Sequence, residues 1–113
     1  MDEDKARRLL AGERERIERA IAKLARSDAQ EHEGREEPGE RGSESLYEDE
    51  LQAGLAEDLA AQLAAIERAE ARLAAGTYGV SIESGEPIPD GRLEAMPTAE
   101  RTLAEEERRG RGQ

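Results

Sequence analysis

Two stretches of the chain carry apolar residues at helical spacing. In residues 4–27, Leu10, Ile17 and Leu24 recur every seven positions, Ile21 fills the stripe, and Arg and Glu take the other faces. This spacing predicts an amphipathic helix, weakened at Gly12 by about 1 kcal/mol relative to alanine. In residues 46–75, Leu51, Leu55, Leu59, Leu63, Ile66 and Leu73 read as one apolar face. Ser45 and Glu48 fit a capping box at its start. Ten of the 23 residues from Ala53 to Ala75 are alanine, which favours helix and permits close packing. Gly76 follows as a left-handed cap. The intervening residues 29–45 hold no Leu, Ile or Val, but three glycines, Pro38, and six Glu against two Arg. They read as a solvated acidic loop.

The two stripes can be matched antiparallel about Pro38. Leu10 then faces Ile66, Ile17 faces Leu59, Ile21 faces Leu55, and Leu24 falls within one residue of Leu51. The expected fold is mainly α. An antiparallel helical hairpin, a short coiled coil, spans residues 1–75, and a small lobe with a short C-terminal helix spans residues 76–113. That last helix is expected to start at Pro97, a residue suited to the first helical position.

Composition narrows the function. The chain has 113 residues, of which 40% are charged, and its only aromatic residues are Tyr47 and Tyr78. It cannot build a thick aromatic core, whereas a two-helix seam needs only aliphatic side chains. A net charge of −11 repels bare DNA and anionic lipid, so direct DNA binding is not expected. With no cysteine there is neither disulfide nor thiolate metal site, as suits a reducing compartment. No apolar run approaches a membrane span, and the N-terminus lacks a signal-peptide layout, so a cytoplasmic protein is expected.

The C-terminal segment carries a recognisable string. Gly76-Thr77-Tyr78-Gly79-Val80 is followed by Gly85-Glu86-Pro87-Ile88-Pro89, then by Arg92-Leu93-Glu94-Ala95-Met96-Pro97. This resembles the C-terminal finger of the bacterial DksA/TraR transcription factors, over residues 76–105 specifically and over most of the chain more loosely. The family places one Cys-x2-Cys pair after Tyr-Gly and a second after Arg-Leu-x-Ala-x-Pro. Here those positions are Ser81, Ser84, Thr102 and Glu105, with the seventeen-residue separation kept. Three alcohols and a carboxylate are a poor zinc set, since tetrahedral zinc takes thiolate or imidazole. The lobe is therefore expected to be a degenerate finger without metal or other cofactor. Ser81, Ser84 and Thr102 are expected to form a hydroxyl network with turn amides. Val80, Ile82, Ile88, Leu93 and Leu103 would supply an apolar cluster.

The resemblance implies a transcription regulator whose hairpin enters the secondary channel of RNA polymerase. Family members often carry Asp-x-x-Asp-Arg-Ala at the tip, a pattern absent here. Glu36, Glu37, Glu40 and Glu44 are the acidic candidates for a partner-binding tip; the same residues also fit a plain solvated loop. The finger-like motif itself comprises Tyr78, Gly79, Gly85, Ile88, Arg92, Leu93 and Pro97, with Arg92 expected to pack beside the finger. His32 lies between Glu31 and Glu33 without a second histidine to complete a metal pair, and neither Ser81 nor Ser84 has a base nearby in sequence. An enzyme is not expected. The alternative function is a stress-related or scaffold protein that kept the fold and lost polymerase binding. The sequence does not fix the oligomeric state; a monomer is the simplest expectation.

Overall fold

The computed structural model describes residues 1–33 and 43–111, with side chains for residues 1–27 and 48–111. Four helices follow in order: α1 (Glu3–Glu33), α2 (Ser43–Ala75), α3 (Asp90–Ala95) and α4 (Leu103–Gly110). α1 and α2 both enter the segment 29–45 that reads as loop, and Ser45 lies inside α2 rather than at its start. Asp28-Ala-Gln-Glu lacks apolar side chains to bury, but its residues do not oppose helix.

The chain divides into two compact units. One comprises Met1–Arg14 with Ala65–Gln113, the other Glu15–Ala64. In the first, the start of α1, the end of α2 and the C-terminal lobe pack together. Ala6, Leu10, Ile66 and Ala69 are buried on the helices, and Ile88, Leu93 and Ala99 form the lobe core. Met1 and Tyr78 pack against that core. Of the apolar cluster expected in the lobe, Ile88 and Leu93 are buried, whereas Ile82 and Leu103 are exposed and Ala99 takes an inner place.

The hairpin pairing differs from the one matched in sequence. Arg14 forks onto Glu70, with Nε and Nη2 at 3.1 and 2.9 Å from its two oxygens. Pairing about Pro38 would put Arg14 opposite Gln62, eight residues away. In the same unit Leu10 shares a groove with Leu73 and Ala74. In the second unit Ile21, Leu24, Leu59 and Leu63 line one groove, while Leu51 and Leu55 are 53% and 47% exposed. The displacement is about two helical turns, close to one heptad, and such a slip carries apolar positions onto apolar positions. Leu51 and Leu55 fail for a second reason. Each i, i+4 step advances about 40° beyond a full turn, so Leu51 lies about 120° round the helix from Leu63. Seven of the buried and half-buried α1 positions instead follow alternating threes and fours, Ala6, Leu10, Glu13, Ile17, Ala20, Leu24 and Ser27, with Lys5, Leu9, Arg14 and Ile21 half-buried beside them.

α2 ends as its sequence dictates. Gly76 takes φ +80°, the Thr77 amide donates to the Arg72 carbonyl, and the Gly76 amide to that of Leu73. This is a Schellman closure, open to glycine because it has no Cβ. The last helix does not start at Pro97. Pro97 is buried in a turn, where the Ala99 amide donates to the Met96 carbonyl. The helix starts instead at Leu103, behind Thr102, with a reciprocal capping box to Glu105.

Candidate functional site

The lobe is built on a small knuckle. Val80 and Pro87 form an isolated antiparallel bridge, the Ser81 amide donates to the Glu86 carbonyl at 2.8 Å, and the Ile88 amide to that of Gly79 at 2.8 Å. The turn between them closes through the Gly85 amide on the Ser81 carbonyl. Gly79 and Gly85 hold φ of +90° and +76°, conformations that glycine supplies without strain. Pro87 suits the knuckle's outer edge because it has no amide hydrogen to satisfy. The Ile82 amide then reaches across to the Glu100 carbonyl at 2.9 Å, joining the knuckle to the segment before α4.

The finger-like motif residues come together around this knuckle. Ile88 and Leu93 are core residues, and Tyr78 packs on them while its hydroxyl donates to the Pro97 carbonyl at 2.8 Å. Burial pushes the Tyr78 phenol up from its usual range, partly opposed by the nearby Arg72 charge. Arg92 donates from Nε to the Arg101 carbonyl at 3.0 Å, a bond that ties α3 to the segment entering α4.

Ser81, Thr102 and Glu105 meet at one point, with Ser84 beside them. The Ser81 hydroxyl donates to Glu105 Oε1 at 2.6 Å, and the Thr102 amide donates to the same oxygen at 2.8 Å. The Glu105 amide returns a bond to Thr102 Oγ1 at 3.3 Å. Ser81 Oγ also accepts from the Glu83 and Ser84 amides, at 3.1 and 3.3 Å, while Ser84 Oγ accepts from the Glu86 amide. Ser81 and Glu105 are buried, at 3% and 4% exposure. These donors, the Ser81 hydroxyl foremost, then the Thr102 amide and the Ser84 hydroxyl, hold the Glu105 carboxyl down at about 2. The expected hydroxyl–amide network is present in Ser81 and Ser84, and its centre is a carboxylate. This set does not fit tetrahedral zinc. Alcohols stay protonated at neutral pH and are not zinc's ligands of choice, and the Glu105 oxygen is already occupied by two donors.

An ionic cluster lies in the same unit and has no short-range sequence signal. Glu100 receives Arg68 at 3.2 Å and Arg72 at 2.9 Å, from positions 32 and 28 residues away. Burial works to raise its carboxyl, but Arg68 foremost, with Arg72 and Arg101, outweighs burial and holds it below the usual range. Lys5 pairs with Glu94, and the Met1 amino group lies 3.2 Å from Asp90. Together these contacts join both hairpin ends to the lobe. Glu36, Glu37 and Glu40 lie outside the described residues, as does the side chain of Glu44.

No family model matches the sequence, and no curated protein does. Among solved structures the chain is similar to the transcription factor DksA2 from Pseudomonas aeruginosa, with a TM-score of 0.83 and 28% identity. The likeness covers 96% of this chain and 83% of that one, so it takes in helices and lobe alike. The chain has a DksA-like fold. None of its helices is long and apolar enough to cross a membrane, among the described residues.

Proposed function

We propose that this protein is a non-enzymatic transcription regulator that binds RNA polymerase through its secondary channel, hairpin first and without zinc. The observation that carries this reading is the likeness to a transcription factor over 96% of the chain, lobe included. The charge agrees with it. At −11 the protein is repelled by DNA phosphates, so a route to transcription through the enzyme is favoured over one through the template. A channel that ends at a bound magnesium ion attracts carboxylates. Glu36, Glu37, Glu40 and Glu44 are the groups assigned to that role. They lack the paired aspartates of other members, so the effect on transcription is expected to be weaker.

Pull-down of purified bacterial RNA polymerase by the tagged chain, together with transcription in vitro, tests the proposal. Binding in the micromolar range and a change in transcript yield are expected. Replacing the four glutamates together by glutamine is expected to reduce that change while helical circular dichroism stays the same. Neither co-purification nor any effect at high micromolar concentration would reject polymerase binding.

A further inference from the structure

We infer that the node formed by Ser81, Thr102 and Glu105 is the tie that closes the lobe, one carboxylate and two hydroxyls standing where the resembled finger has metal ligands. This tie is independent of any contact with polymerase. Its logic lies in the valence of each group. A serine hydroxyl has one hydrogen to give and two lone pairs to fill. Ser81 gives its hydrogen to Glu105 and fills both lone pairs from the Glu83 and Ser84 amides. Glu105 Oε1 takes a second donor from the Thr102 amide, and the Glu105 amide closes the circle on Thr102 Oγ1. The knuckle turn is thereby latched to the first turn of α4 across 24 residues of sequence.

Three of the four positions, Ser81, Thr102 and Glu105, bond to one another directly. Alcohols are poor zinc ligands, but they are the donors that a buried carboxylate requires. The carboxylate falls at the third helical position, where the capping box already aims it back at the N-cap amide. Because Ser81 and Glu105 are almost wholly buried, water cannot readily replace a lost partner. Removing either group leaves the other, and the amides behind it, unsatisfied together.

Residue-resolved hydrogen exchange on the full chain tests the tie. The reporters are the Ile82, Gly85 and Ile88 amides, all bonded within the lobe. In Ser81→Ala and in Glu105→Ala their exchange is expected to accelerate on the order of tenfold to a hundredfold. The double variant is expected to match the single ones, since all three break one tie. Glu105→Gln keeps the shape without the charge, tolerates folding best, and is expected to accelerate exchange severalfold. Thr77→Ala, outside the node, is expected to change nothing. Unchanged protection in Ser81→Ala and Glu105→Gln would overturn the inference. So would protection in the unaltered protein that falls with chelator or rises with added zinc.

Discussion

The two compact units are held in different ways. Met1–Arg14 with Ala65–Gln113 holds Leu10, Ile66, Ile88 and Leu93 almost fully buried, and adds the Glu105 node and the Glu100 cluster. In Glu15–Ala64, Ile17 is the one buried residue among the described side chains. Ile21, Leu24, Leu59 and Leu63 are half-buried there, and Leu51 and Leu55 face solvent. A lobe with many Gly and Pro residues, which by composition looks the weaker part, has the denser set of buried contacts. The long helices look strong by propensity, but among the described side chains of Glu15–Ala64 most apolar ones stay half-buried or exposed. Propensity sets which helices form; burial and satisfied polar groups set how firmly they are held.

Truncation sharpens this contrast most. Leu93→Ala or Ile66→Ala is expected to cost about 2–5 kcal/mol in denaturant unfolding, whereas Leu51→Ala and Leu55→Ala should stay within about 0.5 kcal/mol. Equal costs at the two ends would break the comparison.

Acid should act on the lobe next. Glu105 has its folded-state carboxyl lowered to about 2 from an ordinary 4.5. Its contribution is therefore fully present above pH 4.5 and lost as pH falls towards 2. Glu100 and Glu70 are lowered too, and act in the same direction. Chemical shifts followed by NMR between pH 6 and 2 should show lobe amides losing their native positions across that window. In Glu105→Gln this loss should be smaller relative to neutral pH.

The smallest effect tests the pairing of the helices. A double-mutant cycle on Arg14 and Glu70, both over one-third exposed, is expected to give a coupling of up to about 1 kcal/mol. A cycle on Arg14 and Gln62 should give none. A reversed result would restore the pairing about Pro38.

The sequence discloses much of this structure and hides the rest for identifiable reasons. The two long helices and the Gly76 closure follow from periodicity and one special backbone position, and the grouping of positions 81, 84, 102 and 105 from the resemblance to a finger; that Glu105 is the acceptor at its centre was not expected. Hairpin pairing does not follow, because a slip of one heptad keeps the same apolar pattern, and it takes a contact such as the Arg14 fork on Glu70 to reveal the difference. The start of α4 was legible in Thr102-x-x-Glu105, a capping signal that competes with the local suitability of Pro97. The Glu100 cluster joins groups about thirty residues apart, beyond the reach of any local pattern.

Hydrogen exchange across the unaltered chain, dialysed against chelator at neutral pH, measures the contrast between the two units most directly. The account predicts that the Ile82, Gly85 and Ile88 amides are protected as well as those of α2 around Ile66, and better than those around Leu51 and Leu55. Lobe amides that exchange freely while the helix around Leu51 and Leu55 stays protected would contradict it.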